Sequence, residues 1–178
     1  MFSDTHPKHL FRYCPQCGSD NFYFDEPKKF VCRNCRMHYY INPAPAVAAI
    51  LELPDGNIIL TRRKFDPRKD TFDLPGGFVD CNESAEDAVR REVKEELNIE
   101  VNQMHFLVSF PNQYVFGGIT YFTCDLAFIC PIDSINKIKA DDDVSEAIII
   151  KPELINFEHI SFPSISKILK TYMQHHEN

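Results

Sequence analysis

Two Cys-x-x-Cys pairs, Cys14-Pro15-Gln16-Cys17 and Cys32-Arg33-Asn34-Cys35, stand 14 residues apart near the N-terminus. Each presents two sulfurs from one tight turn, and Gly18 lets the backbone bend beneath the first pair. Four thiolates so arranged suit a tetrahedral zinc ion. Two disulfides or a redox dithiol are the other readings. Matched knuckles and an odd total of seven cysteines, with Cys81, Cys124 and Cys130 scattered, favour a metal in a reducing compartment. The stretch between the pairs is too short to bury a core, so metal binding would supply its folding free energy. We expect a structural zinc ribbon over residues 1–41, with Cys14, Cys17, Cys32 and Cys35 as ligands, and one larger domain over 42–178. Lys28, Lys29, Arg33 and Arg36 make the second half of the ribbon basic, which reads first as a solvated face and second as a nucleic-acid dock.

The rest of the chain can build an ordinary core, since 44% of its 178 residues are hydrophobic. A net charge of -7 argues against a nucleic-acid partner and obliges any polyanionic substrate to be held by a local cation. The first residues lack a charged-then-apolar leader pattern, and no apolar run reaches the roughly 20 residues of a membrane span. The expectation is a cytoplasmic protein with no membrane partner.

Asn42-Pro43-Ala44-Pro45 reads as a stiff linker. Strands are expected at Ala46 to Leu53 and Ile58 to Arg62, around the turn Pro54-Asp55-Gly56-Asn57. Residues 64–71 read as a charged loop. Further strands are expected over 104–116 and 119–130, hinged at Gly117-Gly118, and from Glu146 to Ile150 after the acidic turn Asp141-Asp142-Asp143. Ser161-Phe162-Pro163 opens a terminal amphipathic helix carrying Ile165, Ile168, Leu169 and Tyr172.

The chemistry concentrates on a helix expected from Ser84 to Leu97. At about 100° per residue, Ala85, Ala88, Val89, Val93 and Leu97 form its apolar stripe, with Asp87, Arg90 and Lys94 opposite. Glu92 and Glu96 fall inside the stripe and Glu95 at its edge. A helix needing only solubility does not place carboxylates there. Gathered carboxylates repel and lose hydration, and a hard divalent cation such as Mg²⁺ or Mn²⁺ relieves both. An ordinary charged helix with i,i+4 pairs such as Arg91 with Glu95 is the alternative, but it leaves Glu92 and Glu96 unexplained. Before the helix, Leu74-Pro75-Gly76-Gly77 makes a side-chain-poor approach from which a backbone carbonyl could add a ligand. Ser84 suits the N-cap, and Asn98 suits the left-handed residue after the helix.

These residues resemble the Nudix box, G-x5-E-x7-R-E-U-x-E-E-x-G-U with U bulky and aliphatic. Here it runs Gly77, Glu83, Arg91, Glu92, Val93, Glu95, Glu96, Leu97, Asn98, Ile99, and Asn98 in place of glycine is the one departure. The resemblance implies an α/β (α+β) fold, an α/β/α sandwich with a mixed sheet, preceded here by the ribbon. It implies a hydrolase that cleaves a nucleoside diphosphate linked to another moiety by water attack at phosphorus. Glu92, Glu95 and Glu96 would then ligate Mg²⁺ or Mn²⁺, with the Gly76 carbonyl as a further ligand. Arg91 and Glu83 would pair to orient the helix. A later acid, Asp143 or Glu146, would join the site. Homodimers are common among relatives and are allowed here.

A zinc ribbon before such a box is similar to the NADH pyrophosphatase branch, which carries S-Q-P-W-P-F-P after the box. This chain has Ser109-Phe110-Pro111-Asn112-Gln113-Tyr114 and no tryptophan. The substrate is therefore read as ADP-ribose, an NADH-like dinucleotide or a sugar nucleotide, with Arg62, Tyr114, Phe116 and Tyr121 as candidate substrate contacts. The three aromatics read equally well as core packing. The alternative function is a non-catalytic nucleotide-sensing or RNA/DNA-binding module on the same scaffold.

Overall fold

The computed structural model describes residues 3–133 and 143–176, so Asp141 and Asp142 of the expected acidic turn lie outside the described residues. The chain forms two compact units, Met1–Pro43 with Gln113–Phe122, and Ala44–Asn112 with Thr123–Asn178.

In the first unit a short helix α1 (Pro7–Leu10) precedes a three-stranded antiparallel sheet of β1 (Phe22–Asp25), β2 (Lys29–Cys32) and β3 (His38–Tyr40). Its small core is Phe22, Phe30, Cys14 and Cys32. Phe22 and Phe30 stack with centroids 4.9 Å apart. So few apolar side chains cannot carry a fold alone, which is why the cysteines matter here. Residues 113–122 join this unit through Thr5, whose carbonyl accepts the Thr120 amide, and through Phe122, which packs edge-on against the buried His6.

The second unit is organised by β4 (Ala44–Glu52), which lies between β5 (Ile58–Arg63) and a parallel partner, β8 (Ile119–Pro131). The sheet order is β6 (Phe72–Asp73), β5, β4, β8, β7 (His105–Phe116), with β9 (Val144–Ile150) antiparallel to β5. The sheet is mixed because β4 and β8 run parallel while β5 pairs antiparallel with three strands, β4, β6 and β9.

Alternation along β4 divides its side chains between two cores. Val47, Ala49 and Leu51 face α2 (Ala85–Leu97), meeting Ala88, Val89, Val93 and Leu97. Ala48 and Ile50 face α3 (Pro163–His176), meeting Ile165, Ile168, Leu169 and Tyr172. Helix, sheet and helix are thus three layers, as expected. The helix boundaries follow the caps. Ser84 accepts the Asp87 amide at 3.1 Å, and Asn98 ends α2 in the left-handed conformation at φ 57°. The loop expected over 64–71 is followed by β6, two residues long and invisible to periodicity, whose backbone also bonds Ser161 ahead of α3. Among the described residues no helix is long and apolar enough to cross a membrane.

Candidate active site

The four sulfurs of Cys14, Cys17, Cys32 and Cys35 lie within 4.8 Å of one another. Cys14 and Cys35 are 3.6 Å apart, and Cys17 and Cys32 are 3.7 Å apart. A zinc–sulfur bond of about 2.3 Å gives a tetrahedral edge of about 3.8 Å, so the cluster has the size of a four-thiolate metal site. The two knuckles are built alike. Gly18 N–H donates to the Cys14 carbonyl and Arg36 N–H to the Cys32 carbonyl, with φ of 71° and 65° at the donors. Cys14 and Cys32 are buried while Cys17 is exposed. The Ser19 backbone and then the Asn34 amide draw the Cys17 thiol down to about 6.

In the other unit, Glu96 is the buried member of the α2 carboxylates, with 7% exposure. Its Oε2 accepts the Gly76 amide at 3.2 Å. Burial and then the neighbouring Glu92 push this carboxyl well above the usual carboxylate range; Asp73 and Asp143 act in the same direction against the pull of the Gly76 N–H. A buried acid among acids is costly, and the charge of a divalent cation is one way to relieve that cost. Gly76 and Gly77 form the tight approach beside these carboxylates. Gly76 has φ 147°, and a Cβ there would run into the Val47 carbonyl. A Cβ on Gly77 would meet Glu92 Cδ at 2.7 Å. Glycine is required at position 76, where the clash is with the β4 backbone, while at position 77 its lack of a side chain leaves the Glu92 carboxylate in place.

Arg91 organises the remainder. Its Nε and Nη2 donate to the two oxygens of Glu83 at 2.8 and 2.9 Å, a bidentate pair. Its Nη1 reaches Glu92 at 2.7 Å and Glu95 at 3.2 Å, and its Nη2 also reaches the Phe78 carbonyl at 3.0 Å. The expected Arg91–Glu83 pair and the i,i+4 pair with Glu95 thus coexist. Among the described residues the cysteines alone bring three or more ligand atoms within 4.8 Å, so the helix carboxylates converge on one arginine rather than on one another.

The two later acids separate. Asp143 is close enough to act on the Glu96 charge, and its backbone carbonyl accepts the Lys64 amide. Glu146 forms an ion pair with Arg62 at 2.8 Å. That guanidinium also lies 4.4 Å over the Phe72 ring and donates to the Asp70 carbonyl. Tyr114, Phe116 and Tyr121 belong to the unit that contains the cysteines, and Tyr114 and Phe116 stand 6.4 Å apart.

Asp73 escaped the sequence reading. It is buried, accepts Arg63 Nη1 at 3.1 Å and the Leu74 amide at 2.9 Å, and so anchors the start of the Leu74–Gly77 loop. Burial raises its carboxyl above the ordinary range while Arg63 opposes that shift. An acid immediately before Leu74-Pro75-Gly76 was the available signal.

The chain resembles known proteins over this same region. The NUDIX domain family matches residues 42–171. An ADP-ribose pyrophosphatase of Methanocaldococcus jannaschii is 37% identical over 137 residues, which is 76% of this chain and 76% of that protein. An NAD-capped RNA hydrolase of Vibrio parahaemolyticus is 32% identical over 67% of this chain, but the match spans only 45% of the relative's length. Among solved structures, a NUDIX hydrolase from Nitrosomonas europaea superposes with a TM-score of 0.66 at 23% identity, covering 93% of each chain. The NUDIX domain of Shewanella oneidensis NrtR complexed with ADP ribose superposes with a TM-score of 0.62 at 18% identity, covering 75% of this chain and 88% of that one. These two likenesses are of fold. With the box geometry, the four-cysteine cluster and the domain match in agreement, the chain belongs to the Nudix hydrolase family.

Proposed function

We propose that the chain is a Mg²⁺- or Mn²⁺-dependent pyrophosphohydrolase that cleaves a nucleoside diphosphate joined to a second moiety, with ADP-ribose the first substrate and NADH-like dinucleotides the second. The observation that carries this is the buried Glu96, set among Glu92, Asp73 and Asp143 and held by the Gly76 amide. The 37% identity to an ADP-ribose pyrophosphatase supports the substrate.

In this reading Glu92, Glu95, Glu96 and the Gly76 carbonyl would hold the divalent ion, and the chemistry it would supply there is charge neutralisation at the diphosphate and a more acidic water. Arg91, fixed by Glu83, holds Glu92 and Glu95 towards the site and balances their charge until substrate and cation enter. Glu96, buried beside Glu92 and held by the Gly76 amide, would suit the role of taking a proton from the attacking water. Asp143, rather than the Arg62-bound Glu146, is the later acid that joins it. Arg62 positions Glu146 and Phe72 at the edge of the same unit. Cys14, Cys17, Cys32 and Cys35 hold a zinc ion whose role is structural. The test is turnover of ADP-ribose to AMP and ribose 5-phosphate with Mg²⁺ or Mn²⁺, run beside NADH, NAD, sugar nucleotides and nucleoside triphosphates. No turnover of any of them, with nucleotide binding intact, would instead establish a sensing module.

A further inference from the structure

Asp125 is a carboxylate that the catalytic scheme above leaves without work. It lies on β8 with 6% exposure, in a stretch where its neighbours are apolar or small. Among the described residues the one hydrogen bond to its side chain is from the Thr123 hydroxyl, which donates to Oδ1 at 2.6 Å. Thr123 is itself buried. No cation pairs with Asp125 among the described residues, although a carboxylate can accept about four hydrogen bonds and its burial is costly when they are unmade. The buried side-chain oxygens that lack a partner there are those of Ser161 and Ser164, so Oδ2 of Asp125 keeps contact with solvent. An acid so held is an acceptor in waiting.

The register says what it waits beside. Asp125 pairs across the parallel ladder with Ala46, and Ala46 bridges on its other side to Phe78. Phe78 follows Gly77, the residue pressed against the Glu92 carboxylate. The backbones of Asp125 and Phe78 therefore occupy one row across the sheet, two strand spacings or roughly 10 Å apart, with Asp125 on the α3 side of the sheet and Glu92 on the α2 side. Asp125 shares its face of β8 with Ala127, which lies in the core beneath α3. Arg62 and Phe72 stack at the edge of that same layer, where Phe72 packs on the α3 core.

We propose that Asp125, presented by Thr123, is a specificity residue that accepts hydrogen bonds from the hydroxyls of a substrate ribose whose diphosphate lies at the Gly76–Gly77 loop. A carboxylate with open lone pairs matches a vicinal diol, two donors held side by side, and a span of two strands is what one phosphate-linked ribose covers. A site built to bond a hydroxyl discriminates strongly against the analogue lacking it, because its own buried group is then left unpaired. This rests on the pyrophosphohydrolase reading and adds which part of the substrate is read.

The experiment uses the full zinc-loaded chain. Dissociation constants by calorimetry and, with Mg²⁺, kcat and KM are measured for ADP-ribose and for its deoxy analogues lacking a hydroxyl on either ribose. The wild type should favour ADP-ribose over one deoxy form at least tenfold. Asp125→Ala should raise KM and Kd for ADP-ribose at least tenfold, leave kcat within threefold and erase that preference. The isosteric Asp125→Asn, which keeps an acceptor, should fall between, and Thr123→Val should show a smaller loss of the same kind; both carry the test if the alanine variant does not fold. The inference is overturned if the wild type ignores the missing hydroxyls, or if the Asp125 variants weaken all substrates by one common factor. Calorimetry decides this even without turnover, whereas wild-type binding without hydrolysis counts only against the enzymatic reading.

Discussion

Arg91 grips both carboxylate oxygens of Glu83, eight residues earlier in the chain, and so ties the approach loop to the middle of the box helix. That hydrogen bonding, with help from the Asp80 amide, lowers the Glu83 carboxyl to about 2. A carboxylate depressed in the folded state adds stability that is complete above its unfolded value near 4.5 and fades as pH falls towards 2. Denaturant unfolding should therefore find wild type more stable than Glu83→Gln at pH 7, with the gap closing between pH 4.5 and 2. A gap that stays constant with pH would assign the loss to packing. Arg91→Lys should not restore the pair, because an ammonium cannot reproduce the two-point grip.

Glu96→Gln keeps the shape of a buried side chain and its bond to the Gly76 amide but removes the charge. We expect kcat to fall on the order of 10²–10³-fold, the scale of losing one charged catalytic group. The melting temperature should hold or rise, since a carboxylate that burial disfavours has been neutralised. Turnover close to wild type would remove Glu96 from the metal site.

Gly77→Ala puts a methyl group where Glu92 Cδ would be 2.7 Å away. The Glu92 side chain can swing aside, so the fold should survive. The concentration of Mg²⁺ needed for half-maximal activity should rise, with kcat down roughly 10-fold or more, the cost of a misplaced ligand. An unchanged Mg²⁺ dependence would mean that Glu92 does not bind the ion.

The cysteine cluster predicts about one zinc per chain after purification without added metal. Cys32→Ser should lose it and expose the residues around Phe22 and Phe30 to proteolysis, while the second unit keeps its cooperative unfolding. Of the remaining thiols, exposed Cys81 should alkylate readily at pH 8. Cys130, pushed up to about 12 by burial, should react only on unfolding.

How much of this was legible in the chain follows the range of each interaction. The box helix, its caps and its buried Glu96 could be read because they depend on neighbours three or four residues away, and α3 could be read through Ile165, Ile168, Leu169 and Tyr172 for the same reason. The parallel pairing of Ala46 with Asp125 joins residues far apart in sequence and leaves no local mark. The strand order was hidden with it. So was the difference between Asp143 and Glu146: both are acids of the same acidic stretch, and the ion pair with Arg62 on another strand sets Glu146 apart. Asp73 was hidden for a different reason, since two residues of strand carry no periodicity. Placement of residues 113–122 with the cysteine-bearing unit follows from contacts with the first residues of the chain, such as Thr5 to Thr120, which no linear pattern announces.

The tight seat of Gly76 over the Val47 carbonyl has an evolutionary corollary. Because Gly76 can neither gain a side chain nor shift without colliding with the central strand, this corner tolerates almost no drift. Novelty in what the protein accepts must arise elsewhere, at positions such as those along β8 whose replacement leaves the corner untouched. Descendants of this chain should therefore diversify their diets while keeping one unaltered cutting edge.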